Sequence, residues 1–136
     1  MIERGLYFWA VAQSPIRAII GERFYPAGEV PEDPTYPYAI YQRISTKEFD
    51  DISGAGLTQR ARFQIDCWAK SALGAAQLAD AFRRSLSGFR GMMGTYPNVR
   101  GRRLDSLADE EPPTSGQAKG EFRRIEQYYI LYDEAA

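Results

Sequence analysis

The stretch RFQIDCWAKSALGAAQLADAFRRSL, residues 62–86, decides the fold of this chain. Its first part alternates, with Phe63, Ile65 and Cys67 on one side and polar or amphipathic residues on the other, as in a strand with one buried face. Ser71 is a suitable N-cap for the segment that follows. That segment repeats apolar residues at helical spacing, and the stripe consists of Ala75, Leu78, Ala79, Phe82 and Leu86. The sequence therefore predicts a strand that leads into an amphipathic helix packed on the sheet.

The flanking sequence predicts the other elements of the same fold class. Helical periodicity occurs over residues 2–12 and 14–20, and strand-like alternation over residues 38–45, 99–108 and 122–132. We predict an α+β fold, with a mostly antiparallel four- to five-stranded sheet and two or three helices packed on one face. The length suits a single domain over residues 1–136. The longest apolar runs are too short to cross a bilayer, so we expect no membrane partner.

Residues 46–57, TKEFDDISGAGL, are predicted to form a long hairpin loop. The segment mixes charged residues with apolar residues that an isolated subunit would expose to water, which favours a docking role. A solvated, mobile tip is the alternative. The candidate interface residues in this segment are Lys47, Glu48, Phe49, Asp50, Asp51, Ile52 and Leu57.

The composition excludes most catalytic chemistry. The chain has no histidine and one cysteine, Cys67, which removes the commonest general base, any Cys–His nucleophile pair and any thiolate cluster. No Walker loop or dinucleotide-binding glycine loop occurs. The acidic clusters at 50–51 and 109–111 lie in predicted loops, where such clusters are usually solvated. We predict that the protein is not an enzyme and that it has no catalytic, cofactor-binding or metal-binding residues.

Arginine-rich strands leave a second class of function open. Arginine accounts for 14 of the 17 basic residues, and Arg102, Arg103, Arg123 and Arg124 lie on two late strands that can be neighbours. A sheet with arginine and exposed aromatic residues can bind nucleic acid. Consecutive arginines point to opposite faces of a strand, however, and the net charge of −1 provides no basic surplus. One alternative is a small nucleic-acid-binding module. In the other, the arginines form ion pairs with acidic residues within or between subunits.

Several motifs together resemble one protein family. They occur in the order Gly21-Glu22-Arg23-Phe24-Tyr25-Pro26, then Pro37-Tyr38-Ala39-Ile40-Tyr41, then Arg62-Phe63-Gln64-Ile65-Asp66-Cys67-Trp68-Ala69, then Leu78 to Ala81. An aromatic, polar strand closes the pattern over residues 121–133. With its motifs in this order and at this spacing, the chain resembles the tail completion, or tail terminator, proteins of long-tailed bacteriophages and gene transfer agents.

The resemblance implies a structural role at the neck of a virion. Members of the family form a ring, usually a hexamer, on the head-proximal end of the tail tube. The ring stops tube polymerisation and joins the tail to the head-side connector, while DNA passes through the lumen without sequence recognition. We therefore expect a homo-hexameric ring at the head–tail junction that contacts the tail tube protein and the connector or stopper protein. Assembly would take place in the cytoplasm of the bacterial host.

Overall fold

The computed structural model describes residues 1–50, 57–104 and 121–133, and for residues 48–50 and 57 only the backbone. In this part of the chain, three helices and six strands follow one another. In chain order they are α1 (Ile2–Ala12), α2 (Ser14–Ile20), β1 (Phe24–Pro26), β2 (Tyr38–Asp50), β3 (Leu57–Ala69), α3 (Ala72–Leu86), β4 (Arg90–Met93), β5 (Tyr96–Arg103) and β6 (Phe122–Asp133).

The strands form one mixed sheet in the order β1-β2-β3-β6-β5-β4. Only the pairing of β1 with β2 is parallel among the described strands. β3 lies in the middle of the sheet and pairs with β6 without interruption, from Thr58 opposite Asp133 to Ala69 opposite Phe122. β1 and β4 are the two edge strands, so the chain segments adjoining β1 and those adjoining β4 lie at opposite edges of the sheet.

The α+β class, the three helices and their packing on one face are confirmed, but the predicted count of four to five strands is wrong. The described sheet has six strands, because β1 and β4 are present in addition to the predicted ones. β1 has three residues and β4 has four, with a register irregularity between Gly91 and Met93. Strands this short do not show a period of two, and pairing with β2 and β5 defines them instead.

The predicted boundaries of the hairpin and of β5 also change. β2 continues to Asp50 and β3 begins at Leu57, so residues 46–50 and 57 of the predicted loop 46–57 are paired backbone. The pairing register between β2 and β3 shifts between Arg43 and Ser45, and the two strands continue to pair beyond Ser45, the predicted end of β2. β5 begins at Tyr96, before the predicted start of the strand at residue 99, and ends at Arg103. The acidic cluster 109–111 and the end of the predicted strand 99–108 lie outside the described residues.

The core forms where the alternating face of β3 meets the apolar stripe of α3. Phe63 and Ile65 of β3 are fully buried, as are Leu78, Phe82 and Leu86 of α3. The Phe82 ring lies 5.3 Å from the ring of Phe24 in β1, so α3 also contacts the first edge strand. The two predicted stripes are therefore confirmed as the core.

Two glycines allow the helices to approach the sheet closely. Gly101 lies beneath the end of α3, and a Cβ atom at this position would collide with the backbone carbonyl of Leu86. Gly94, in the turn between β4 and β5, has a positive φ of 61° and packs against Gly5 of α1. These contacts hold β4 and β5 under the helices, which fixes the position of this edge of the sheet.

Phe82→Ala tests whether the α3 stripe supports the fold. We expect a loss of about 3–5 kcal/mol in the free energy of unfolding, because the substitution leaves a cavity among fully buried side chains. Leu73→Ala on the same helix is the control, since the Leu73 side chain is 68% exposed. Urea unfolding monitored by circular dichroism measures both. A loss below about 1 kcal/mol for Phe82→Ala would contradict this account of the core.

Candidate assembly surface

The helices leave one face of the sheet uncovered, and we call it the open face. Because side chains alternate along a strand, it carries the residues opposite the core positions of each strand. The open-face side chains of β2 and β3 include Tyr38, Ile40, Gln42, Ser45, Lys47, Arg60, Arg62, Gln64, Asp66 and Trp68. Those of β6, β5 and β4 include Arg123, Ile125, Gln127, Tyr129, Leu131, Arg100, Arg102 and Arg90. Most are half-buried or exposed.

Cations are concentrated at one end of the open face, which we call the basic end. The strand register places them in two neighbouring rows that run across the sheet. The first row consists of Lys47, Arg60, Leu131, Arg100 and Arg90. The second row consists of Ser45, Arg62, Tyr129 and Arg102. The first row crosses five strands, a width of about 19 Å. Neither row contains an acidic residue, and Asp133 of β6 occupies the next open-face position, opposite Thr58. Basic residues therefore outnumber acidic ones among the described residues of this end.

The two cations nearest the centre of the sheet are held by neighbours on β6. The Arg60 guanidinium lies 4.3 Å from the centre of the Tyr129 ring, and Arg62 Nε donates to Gln127 Oε1 at 2.7 Å. Gln127 in turn donates to Gln64 at 3.3 Å. These contacts orient the arginines and do not neutralise their charge.

The other end of the open face is aromatic. The rings of Tyr38 and Trp68 stack with their centres 6.2 Å apart and their planes within 8°. The Arg123 guanidinium lies 5.4 Å from the centre of the Trp68 ring and forms an ion pair with Asp66 at 3.7 Å. Tyr36, which precedes β2, packs edge-on against Tyr38 and partly covers this end. Burial raises the pKa values of both tyrosines, so their hydroxyls stay neutral.

The four predicted interface arginines do not form one cluster. Arg102 and Arg123 lie on the open face, whereas Arg103 and Arg124 lie on the helix-covered face, as expected for consecutive strand residues. Arg102 pairs with Tyr129, which lies six positions along β6 from Arg123, a distance of about 20 Å. Arg102 thus belongs to the basic end and Arg123 to the aromatic end.

Arg103 and Arg124 line a groove of about 350 Å³ between α3 and the sheet. Arg103 forms an ion pair with the buried carboxylate of Glu126 at 3.1 Å. On the α3 side of the groove, Asp80 pairs with Arg83 and with Arg84. Both carboxylates of the groove, those of Asp80 and Glu126, therefore pair with arginines of the same subunit.

The predicted hairpin interface is only partly described. The exposed Lys47 joins the basic end, and Glu48, Phe49, Asp50 and Leu57 lie in paired backbone. Asp51 and Ile52 lie outside the described residues. Arg90 was not predicted, because its segment has no strand pattern, and only its pairing opposite Arg100 places it on the open face.

The described residues contain no group of acidic residues and cysteine that could hold a metal ion. Cys67 is fully buried, and burial raises the pKa of its thiol well above the usual value, as expected of an inert cysteine. No helix among the described segments has the length and apolar character that crossing a bilayer requires.

Comparison with known proteins identifies the class of this protein. Residues 4–112 match the model of the family described as "Tail completion protein gp17", and the chain belongs to this family. It is therefore a structural protein of a phage-type virion and not an enzyme. No curated protein matches the sequence.

The fold also occurs in a solved virion structure. A chain of the "Virion of native gene transfer agent (GTA) particle" matches with a TM-score of 0.71 and 15% sequence identity. The match covers 96% of this chain and 94% of the other, so the two share their fold over nearly their whole lengths.

Arg103→Ala and Arg102→Ala form a matched pair on opposite faces of β5. Arg103→Ala leaves the buried Glu126 carboxylate without its ion-pair partner, and we expect a loss of about 1–3 kcal/mol in the free energy of unfolding. For Arg102→Ala we expect a change within about 0.5 kcal/mol, because this exposed side chain forms no ion pair with the described residues. Urea unfolding at low protein concentration measures both. Equal losses would contradict the assignment of the two arginines to different faces.

Proposed function

We propose that this protein forms a closed ring of six copies on the head-proximal end of a tail tube. The ring stops tube polymerisation and joins the tail to the head-side connector, and DNA passes through its lumen without sequence recognition. Membership in the tail completion family is the observation that carries this proposal. The likeness to a chain of a gene transfer agent virion supports it at the level of the fold.

The geometry suits a protein that acts by binding other proteins. A ring of identical subunits closes through one interface that repeats between neighbours, and its two ends meet different partners. The sheet provides a rigid base, since β3 pairs along its whole length with β6. Its open face presents cations at one end and aromatic rings at the other, and arginine and aromatic residues are enriched at protein interfaces.

The experiment that tests this role uses particles assembled with and without the protein. Electron microscopy of complete tails should show a distinct layer of six-fold symmetry at the upper end of the tube. Without the protein, we expect tails of uncontrolled length that do not join heads, because nothing caps the growing tube. A single copy bound to one side of the tail, or tails of normal length without the protein, would contradict the proposal.

We further propose that the β2–β3 hairpin contacts the tail tube or a neighbouring subunit. The hairpin extends the two strands beyond Lys47, and its sequence combines acidic residues with Phe49, Ile52 and Leu57. Replacing residues 48–56 by a short Gly-Ser turn should leave the domain folded, since the core residues lie elsewhere. We expect tails of abnormal length or tails that fail to join heads. Circular dichroism checks the fold, and normal infectious particles would refute the docking role.

A further inference from the structure

The basic end contains a concave site at the β4–β5 edge of the sheet. A cavity of about 500 Å³ is lined there by Arg90, Arg100, Arg102 and Arg103, together with Phe89 and Leu131. No acidic residue of the described segments lines this cavity. Asp133 lies with Arg90 and Arg100 in an adjoining cavity and accepts a hydrogen bond from Thr58 at 3.0 Å.

Three of the four arginines at this site have no acidic partner among the described residues, whereas Arg103 pairs with Glu126. Arg90 lies directly opposite Arg100 across two paired strands, an arrangement that destabilises the sheet. The side chains of Arg90, Arg100 and Arg102 form no ion pair or hydrogen bond with other described residues. Arginine binds carboxylates through two parallel hydrogen bonds, so an acidic partner would relieve the repulsion and fill the site.

Uncompensated acids lie at the opposite edge of the same sheet. The segment of residues 27–37, which we call the acidic connection, joins the edge strand β1 to β2. Its Glu29, Glu32 and Asp33 are exposed and form no ion pair with other described residues. Pro31 and Pro34 restrict the backbone of this segment, which lowers the entropy lost on binding.

The arrangement favours a second copy of the chain as the partner. Complementary surfaces on opposite edges produce head-to-tail association, and such association closes into a ring when the rotation between copies permits it. Both edge strands are too short to add many backbone hydrogen bonds, so side chains must provide the specificity. Nucleic acid suits the site less well, because the chain has a net charge of −1 and no basic surplus.

We propose that the basic end of each subunit binds the acidic connection of the next subunit, with Arg90, Arg100 and Arg102 facing Glu29, Glu32 and Asp33. This inference rests on the proposed ring and identifies the surfaces that close it. It makes ring closure dependent on salt, because charges at the rim of an interface are screened by ions.

Charge reversal at each surface tests the proposal. The first variant carries Arg100→Glu and Arg102→Glu, and the second carries Glu32→Lys and Asp33→Lys. We expect each variant alone to lose rings on tail tubes in electron micrographs, with at least about a tenfold drop in subunit association. A variant with all four substitutions should form rings again, because its charges are complementary in the reversed sense. An equal mixture of the two variants should also form rings, in which they alternate.

Arg4→Glu with Arg17→Glu is the matched control. It makes the same change in net charge as the first variant, at exposed positions on α1 and α2, and we expect it to form rings as the unmodified protein does. Circular dichroism confirms that all variants fold. If only this control failed, the net charge of the chain and not the proposed contact would govern association, and the proposal would be wrong.

Three further results would overturn the inference, and one tests the ring itself. Rings formed by either reversed variant alone would refute the contact, as would failure of the fourfold variant and of the mixture. Binding of a labelled DNA duplex with nanomolar affinity at physiological salt, lost in the Arg100→Glu and Arg102→Glu variant, would assign the basic end to nucleic acid. Absence of rings for the unmodified protein on tail tubes would instead refute the proposed function.

Discussion

The structure depends on the strict alternation of side chains along β3. This strand lies between β2 and β6, so neither of its edges reaches solvent, and only its two faces are free to contact other groups. Ala61, Phe63, Ile65 and Cys67 are fully buried beneath the helices. Their neighbours in sequence must then point to the other face, and these include Arg60 and Arg62. One constraint therefore produces both the core and the surface that is available for assembly.

The helices determine which residues of the sheet remain accessible. The end of α3 lies so close to β5 that a side chain at Gly101 would collide with it, and α1 packs on the β4–β5 turn through Gly5 and Gly94. The β4–β5 edge is thus held firmly, while the three helices leave its open face accessible. On the helix side, Arg103 pairs with Glu126 within the subunit. On the open side, Arg102 has no such partner among the described residues. Adjacent arginines therefore differ in role because the strand separates them onto different faces.

A tail completion protein needs surfaces that recognise its neighbours, and it needs no reacting group. The absence of histidine from the sequence and the burial of Cys67 agree with this requirement. The open face combines arginine, tyrosine and tryptophan, residues that bind through planar groups and are enriched at protein interfaces. Its cations and aromatic rings lie at opposite ends, which allows one face to contact chemically different partners.

The sequence by itself determined the α+β class, the core of β3 and α3, and the family. The fold class and the core follow from patterns within a few turns or one strand, such as Phe63 and Ile65 alternating and Leu78, Phe82 and Leu86 recurring at helical spacing. The family follows from a resemblance in the order and spacing of several motifs. Only the tertiary structure revealed β1 and β4, the extension of β2 past the shift at Arg43 and Ser45, and the alignment of Lys47, Arg60, Arg100 and Arg90 in one row. These residues are distant in sequence, and their proximity depends on the register between strands. The hydrophobic patterns of both strands and the geometry of the turns between them set that register together, so no single segment of the sequence reveals it.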